Sequence, residues 1–288
     1  MTLTSLGLIL GSACLHVVVH VALKRARDRA AFVWWMLLWA VVLFSPILLL
    51  VPGPIPPLGW ALLLATSVCE AAYFLAIAKA YRGADLSVVY PLARGTAPAL
   101  LLLWSAAVLR EPLTAGGVGG IVLIVAGLYL NNLPRLGAWR EPLRSLGQAG
   151  PRWALLAGLS TSLYTAIDKV AIAYVTPLLY TYVALAVTTL WVTPFTLAEV
   201  GRQGLAAEWR GSGARTVLAG FMTLAAYAIV LMAMARGTPA SYAGAVREFS
   251  VVLGALYGVV VLKESGSPMR VLGAALVAGG VAMIGLLG

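Results

Sequence analysis

The sequence predicts an all-α integral membrane protein whose ten transmembrane helices form two inverted five-helix repeats. Of its 288 residues, 61% are hydrophobic and only 10% are charged, whereas soluble domains average roughly 45–50% apolar and 25% charged residues. The chain contains ten apolar runs of about 20 residues, which is the length needed to cross the hydrocarbon core. Its second half also resembles its first. Together these observations place the chain in a bilayer.

The predicted spans follow one another closely along the chain. The longest connections, 134–150 and 200–213, are too short to fold as separate modules. Nucleotide-binding loops, nucleophile elbows and zinc signatures are absent from the sequence. The chain is therefore predicted to be neither an enzyme nor a protein with a cofactor. The spans are expected near residues 3–23, 31–51, 58–80, 86–109, 115–133, 151–173, 177–199, 214–235, 240–262 and 268–287.

Basic residues indicate how the spans are oriented. The net charge is +10, and fifteen lysines and arginines fall in the loops of one side, against only Arg110 and Arg236 on the other. The positive-inside rule places the basic side in the cytoplasm. We therefore expect a multi-pass protein of the cell (inner or plasma) membrane with both termini on the non-cytoplasmic side. This distribution explains the charge without nucleic acid as a partner.

An internal repeat connects the two halves of the chain. A shift of 154 residues aligns 70–83 with 224–237, and a shift of 153 aligns Arg94 with Arg247. Such spacing over many residues predicts two copies of one structural unit.

The copies occupy 1–133 and 151–288, and 134–150 connects them. Because each copy has an odd number of spans, the second must enter the membrane from the opposite side. The result is an inverted repeat, the arrangement that supports alternating access.

The stretch "YPLARGTAP", residues 90–98, places a charge inside an apolar run. A charged side chain at the bilayer centre costs about 2.5–3.5 kcal/mol on insertion scales, so Arg94 and Arg247 are expected to face the bundle interior. Because the halves are inverted, both guanidinium groups can converge near the midplane. The stretch is predicted to form a cavity wall.

Five further residues are predicted to act in gating. Pro91 and Pro98 remove backbone donors and Gly95 removes a side chain, which is expected to loosen the helix as a hinge. Glu111 and Glu264 lie at span ends beside basic residues. They are expected to form capping or gating ion pairs at the two membrane surfaces.

Polar residues on several spans are expected to line one central cavity. His16 and His20 lie four residues apart, as do Tyr164 and Asp168, so each pair shares a helix face. The candidate substrate-binding or ion-binding residues are His16, His20, Glu70, Tyr73, Tyr90, Arg94, Tyr164, Asp168, Tyr227, Arg247 and Glu248.

Each candidate also has a structural alternative. The arginines could form ion pairs with Glu70, Asp168 or Glu248 instead of contacting substrate. The histidines could pack by hydrogen bonding or relay protons, and the tyrosines could be packing residues. Glu70, whose repeat counterpart is Leu224, favours a proton site or a charge partner. A metal site is not predicted, because no third ligand stands at a fixed spacing from the histidines.

Further motifs carry a family resemblance. Each fourth span ends in a basic–acidic pair before a glycine-rich fifth span, and with the ten spans in two repeats this resembles the EamA family of the drug/metabolite transporter superfamily. "LHVVVHVALK" (15–24) is similar to the LHAxWNxxxK pattern of one EamA subgroup, and "YTAIDK" (164–169) is similar to the segment opening the second half. Val19 and His20 stand where that pattern has Trp and Asn.

The resemblance implies a secondary active transporter that moves a small polar or amphiphilic metabolite by alternating access. The arginines suit a carboxylate, and Glu70 and Asp168 suit an ammonium group, so an amino-acid-like zwitterion heads the candidate substrates. Protons are the candidate coupling ion, and the lipid bilayer is the surrounding partner. A lipid-linked substrate flippase and a non-transporting membrane subunit are the alternatives. Import or export, and the oligomeric state, are left open.

Overall fold

A computed structural model describes residues 1–51, 53–83, 86–131, 133, 135, 137, 139–140, 144–260 and 268–288. All regular secondary structure in these residues is helical, as the composition predicts. The helices are α1 Leu3–Lys24, α2 Arg29–Phe44, α3 Ile47–Leu50, α4 Pro57–Gly83, α5 Leu86–Ala107, α6 Ala115–Asn131, α7 Ala149–Ala171, α8 Pro177–Ala235, α9 Ala240–Arg247, α10 Phe249–Val260 and α11 Pro268–Leu287, with a 3₁₀ turn at Ser145–Gly147.

Within the described part of the chain, five helical stretches are long and apolar enough to cross a membrane by length and composition. The longest of them, 59 residues, is long enough to cross twice. The helix α6 is apolar but shorter. The five stretches are Leu3–Leu23, Arg29–Leu50, Pro57–Ile77, Pro177–Ala235 and Pro268–Leu287.

Local sequence signals explain where several helices begin. The hydroxyl of Thr2 accepts from the amide of Ser5 at 3.2 Å, and the carboxylate of Asp28 accepts from the amide of Ala31 at 3.0 Å, so α1 and α2 are both capped. The helix α8 opens with Pro177, whose missing N–H has no partner to lose in a first turn. These starts lie within a few residues of the predicted spans.

The predicted connection 200–213 is reduced to a break at one residue. Two helices meet at Gly201, whose φ of 69° and ψ of 168° lie outside helical geometry, in a conformation that glycine adopts without a steric penalty, so α8 consists of a first part before Gly201 and a second part after it. Trp209 packs its ring at 4.8 Å from Trp35 and 5.5 Å from Trp39. A polar composition indicated a loop, but an apolar aromatic contact with α2 keeps this segment helical.

The two arginine-bearing helices differ in continuity. The predicted span 240–262 is interrupted at Glu248, which separates α9 from α10. In contrast, α5 is helical through Pro91, Gly95 and Pro98. The structure therefore places an interruption in the second half and none at the proposed hinge of the first, where a hinge stays a prediction.

Glycines allow α6 and α11 to pack backbone against backbone. A Cβ atom at Gly120 would lie 2.7 Å from the carbonyl oxygen of Gly280, and one at Gly127 would lie 2.6 Å from that of Gly273. Real Cβ atoms do not approach so closely, so these four positions require glycine. Small residues permit this kind of approach between membrane helices.

The remaining helices enclose a central space. The hydroxyl of Ser12 donates to the carbonyl of Ala226 at 2.8 Å, which joins α1 to the second part of α8. The hydroxyl of Thr66 donates to Asp168 at 2.6 Å, which joins α4 to α7. Residues of all four helices line the cavity described next.

Candidate substrate cavity

A cavity of about 580 Å³ lies between α1, α2, α4, α5, α7, α8 and α9. Small-molecule sites typically measure roughly 300–1,000 Å³, so this one can hold a metabolite. The structure brings most of the predicted binding residues to its wall. They are His16, His20, Glu70, Tyr73, Arg94, Tyr164, Tyr227, Arg247 and Glu248.

For three predicted positions the structure describes no side chain. The side chains of Tyr90 and Pro91 are not described, although both residues belong to α5. Glu264 lies outside the described residues altogether. Their roles remain predictions.

Basic groups gather at one part of the wall. Arg94 donates from Nη1 to both carboxylate oxygens of Glu248, at 3.1 and 3.0 Å, and so links the two halves of the chain. Its Nη2 lies 2.6 Å from Nε2 of His20. Because a guanidinium can only donate, this nitrogen of His20 must be the acceptor. The contact therefore fixes a neutral His20 with its proton on Nδ1.

Arg247 and His16 are less completely paired. Arg247 is only 9% exposed, and its Nε atom has no hydrogen-bond partner among the residues described, although its guanidinium interacts with Tyr164. The Nδ1 atom of His16 is likewise buried without a partner there, and its ring lies edge-on to that of His20 at 6.3 Å. Buried polar atoms without partners are costly, which makes these atoms candidates for ligand contacts.

Glu70 lies in the cavity wall and forms no ion pair with the basic residues that the structure describes. It is 4% exposed and accepts a hydrogen bond from the hydroxyl of Thr188 at 2.5 Å. Neither of the ion pairs found in the described structure involves it. The predicted alternative of a structural Arg94–Glu70 or Arg247–Glu70 pair is thus not what the structure contains.

Asp168 is fully buried behind the wall. Its carboxylate accepts from the hydroxyls of Thr66 at 2.6 Å, Tyr180 at 2.8 Å and Tyr227 at 2.6 Å. Three donors satisfy a buried carboxylate without an arginine. Of these donors, Tyr227 also lines the cavity, so it connects Asp168 to the space where a ligand would lie.

A row of tyrosines lies along the cavity. The ring of Tyr164 lies 6.4 Å from Tyr73 and 6.5 Å from Tyr227, each in an edge-on arrangement. Because Tyr164 contacts Arg247 and Tyr227 contacts Asp168, the row runs from a basic to an acidic group. The tyrosine row offers aromatic faces and hydroxyls to a ligand that reaches from the basic group to the acidic group.

The cavity reaches one face of the protein, which we call the mouth. It is lined there by Arg27, Asp28 and Arg29, at the junction of α1 and α2, and by Glu199 of α8. Arg27, Arg29 and Glu199 are exposed, so the cavity opens toward water at the mouth.

The opposite end, which we call the closed end, is held by Glu111. Its carboxylate accepts from the amide of Ala240 at the start of α9, with both oxygens at 2.9 Å, and lies 3.6 Å from Nζ of Lys169. The ammonium of Lys169 also donates to the carbonyls of Met234 and Thr238, at 2.9 and 2.8 Å. Glu111, predicted to cap or gate beside Arg110, thus contacts α9 and Lys169 of α7 instead of its neighbour Arg110.

Several of these contacts were not anticipated from the sequence. Thr66, Thr188 and Tyr180 hold the two carboxylates, and Lys169 lies beside Glu111. The available signal was a hydroxyl or a charge inside an apolar run. Which residue each one meets depends on how separate helices pack.

Comparison with known proteins decides the family. The model of the EamA-like transporter family matches residues 3–133 and again residues 148–286. The chain belongs to this family. A solved structure titled only as the crystal structure of a protein is 17% identical, covers 98% of this chain and 96% of that chain, and has a TM-score of 0.75, which shows a shared fold. No curated protein matches the sequence.

Family membership confirms the resemblance drawn from the sequence. As an EamA-like transporter, the chain is a multi-pass membrane protein of the transporter class. The double match also shows that each half carries the family's sequence pattern.

Proposed function

We propose that this EamA-like transporter is a secondary carrier for a small polar or amphiphilic, amino-acid-like metabolite and works by alternating access. The observation that carries the proposal is the central cavity, which is lined by charged groups from both halves, open at the mouth and shut at the closed end. A carrier that works by alternating access is open to one side of the membrane and closed to the other in each of its two states.

The helix packing supports ten spans in two inverted repeats, 1–133 and 151–288. The pairing of α1 with the second part of α8 joins the first and eighth predicted spans, and that of α7 with α4 joins the sixth and third. Spans 1 and 3 of the first half correspond to spans 6 and 8 of the second, so exchanging the halves turns one pairing into the other. An inverted pair of this kind lets each half take the other's conformation in turn.

The charges support a zwitterionic substrate. Arg247 presents a donor without a carboxylate partner in the described structure, while Glu70 presents a carboxylate without a basic partner. A substrate with both a carboxylate and an ammonium group would satisfy both groups at once. The mouth is lined by charged residues, which favours a substrate from water over a lipid-linked one.

The distribution of basic residues orients this arrangement. The α-amino group of Met1 donates to the carbonyl of Gly288, and Thr114 donates to the carbonyl of Leu287, so both termini lie near the closed end. The mouth carries Arg27 and Arg29. With basic loops in the cytoplasm, the described state is open to the cytoplasm and both termini are outside.

Glu70 is our candidate for coupling to protons. A carboxylate that lines a cavity and is held only by neutral hydroxyl donors can gain or lose a proton without breaking an ion pair. Asp168, which has more donors and lies behind the wall, is the structural carboxylate in this proposal.

Uptake into proteoliposomes tests the proposed function. A labelled mixture of L-amino acids is supplied under an imposed pH gradient, and accumulation is compared in wild type, Glu70→Gln and Arg94→Ala. We expect Glu70→Gln to retain exchange of label at equilibrium but lose gradient-driven accumulation, and Arg94→Ala to lose both. Arg140→Gln, outside the cavity, is the control. Absence of flux in wild type for the amino acids and for a broad metabolite panel would refute the carrier proposal.

A further inference from the structure

One tyrosine hydroxyl lies between the two buried carboxyl groups beside the cavity. The hydroxyl of Tyr227 donates to Asp168 at 2.6 Å and is hydrogen-bonded to the carboxyl group of Glu70 as well. Tyr227 and Glu70 line the cavity, whereas Asp168 is fully buried. Glu70 comes from the first half of the chain and the other two residues from the second. The three side chains therefore form a chain of hydrogen bonds across the two halves.

The number of protons in this chain limits which groups can donate. A tyrosine hydroxyl carries a single proton, so it can donate to only one of two neighbouring carboxyl groups. Asp168 is that acceptor, since the hydroxyls of Thr66 and Tyr180 also donate to it, at 2.6 and 2.8 Å. Toward Glu70, the oxygen of Tyr227 can then only accept. The bond between Tyr227 and Glu70 therefore requires a proton on Glu70.

The electrostatics of the two carboxyl groups lead to the same assignment. Glu70 and Asp168 interact with each other, and two carboxylates that share a buried site resist a second negative charge. Asp168 has three hydroxyl donors to stabilise a charge, whereas Glu70 has Thr188 and the contact with Tyr227. Of the two, Glu70 is therefore the group that holds a proton.

Other titratable and charged groups surround the pair. Arg247 is the positive group that interacts with Asp168 and so balances its charge. Arg94 of α5 is instead bound to Glu248 and His20, and neither ion pair of the described structure reaches Glu70. The groups around the pair are His16 on α1, Cys69 and Tyr73 on α4, Tyr164 on α7, Tyr180 on α8 and Arg247 on α9, with Arg29 of α2 at the mouth.

We infer that Tyr227 is a positioning residue for proton coupling: it keeps a proton on Glu70 in the described state because its own proton is committed to Asp168. Movement of one half against the other changes the contact between Tyr227 and Glu70, so the hold on the proton differs between the two states of the carrier. The substrate's ammonium can donate to Glu70 with or without the proton, since both forms keep an accepting oxygen. The role in coupling rests on the proposed carrier function.

Infrared spectroscopy of the protein in lipid tests the location of the proton without transport. A protonated carboxyl group has a C=O stretching band that a carboxylate lacks. We expect wild type to show such a band at neutral pH and Glu70→Gln to lose it. Glutamine keeps an accepting oxygen for Thr188 and a donor for Tyr227, so this variant should fold. Identical bands in wild type and Glu70→Gln would overturn the inference.

Two tyrosine variants separate positioning from packing. Tyr227→Phe and Tyr180→Phe each remove one hydroxyl donor from Asp168, but Tyr227 is the one hydrogen-bonded to Glu70. Because protonated Glu70 loses its acceptor in Tyr227→Phe, we expect its band to titrate about one pH unit lower, the equivalent of one hydrogen bond. Tyr180→Phe should move it by less than about half of that. Each band is assigned by adding Glu70→Gln to the same variant.

The direction of this change decides between the two arrangements of the hydroxyl. A move to higher pH in Tyr227→Phe would show that the hydroxyl donates to Glu70, and equal moves in the two variants would show that both tyrosines only support Asp168. Either result overturns the inference. Thermal unfolding in detergent confirms that both variants are folded.

The pH dependence of transport tests the role in coupling. Gradient-driven accumulation of the labelled L-amino acid mixture is measured in proteoliposomes over a pH series. The profile of Tyr227→Phe should move toward lower pH together with its infrared titration, while that of Tyr180→Phe stays close to wild type. A wild type that transports with Tyr227→Phe and Tyr180→Phe giving the same profile would refute the inference alone. A wild type that shows the Glu70 band but no flux would refute the carrier proposal and leave the location of the proton intact.

Discussion

The mouth and the closed end of this protein use charges in opposite ways. At the closed end, Glu111 joins Lys169 and the start of α9, so charged groups from both halves meet each other. At the mouth, Arg27, Asp28 and Glu199 line an opening. The same bundle therefore holds its helices together at one face and apart at the other. The difference teaches that, in the proposed carrier, a few polar contacts near the ends of otherwise apolar helices decide which face is open.

The largest expected effect is on the accessibility of single cysteines. After Cys14 and Cys69 are replaced by alanine, Thr223→Cys places a thiol in the cavity and Ser105→Cys places one at the closed end, where the Ser105 hydroxyl accepts from the amide of Ser241. We expect the closed-end thiol to react roughly 10- to 1,000-fold more slowly with a water-soluble reagent, since minor states are commonly populated at 0.1–10%.

The same cysteines determine orientation. Reagent applied to inside-out vesicles should reach Thr223→Cys faster than reagent applied to right-side-out vesicles, because we place the mouth in the cytoplasm. Equal rates for the two thiols would contradict a closed end, and the reverse vesicle preference would contradict the orientation. Protein without an introduced cysteine serves as the control.

The next effect is expected from the ion pair. Glu111→Gln leaves the partly buried ammonium of Lys169 without its carboxylate and weakens the cap on α9, so we expect a loss of about 1–3 kcal/mol in stability and faster labelling at Ser105→Cys. Adding Lys169→Met should recover part of the stability, because the unpaired charge is removed. Thermal unfolding in detergent measures both changes.

Arg110→Gln is the matched control for this pair. It removes a charge next to Glu111 in sequence that is not its ion-pair partner in the described structure. An equal loss in Arg110→Gln would show that the charge at this membrane surface matters and not the contact with Lys169.

The smallest effect is expected at the mouth. Glu208, only 1% exposed, accepts from the amides of Arg27 and Asp28 at 3.1 and 2.9 Å and so fastens the bend between α1 and α2 to α8. Since glutamine can still accept both hydrogen bonds, Glu208→Gln should cost only about 0.5–1.5 kcal/mol. Glu208→Ala, which removes the acceptor, should cost more, and a reversed order would show that the contact does not hold the mouth.

Sequence reasoning succeeded where local composition decides structure. The helix bounds follow the apolar runs closely, as α1 at Leu3–Lys24 and α11 at Pro268–Leu287 illustrate. At 200–213 it predicted a connection that the structure shortens to a break at Gly201, because Trp209 packs on α2 and the residues after the break are helical. It also gave one span where Glu248 separates two helices.

For the cavity, the residue types were predictable and their partners were not. A charge inside an apolar run is costly wherever it lies, so the sequence by itself determined that Arg94, Arg247 and Glu70 face the interior of a two-fold repeated bundle. Only the tertiary structure decided that Glu248 pairs with Arg94 and that Glu70 meets Thr188. The physical reason is that burial cost is a property of one residue, whereas neutralisation requires a second residue from a distant helix, and packing alone brings the two within hydrogen-bonding distance.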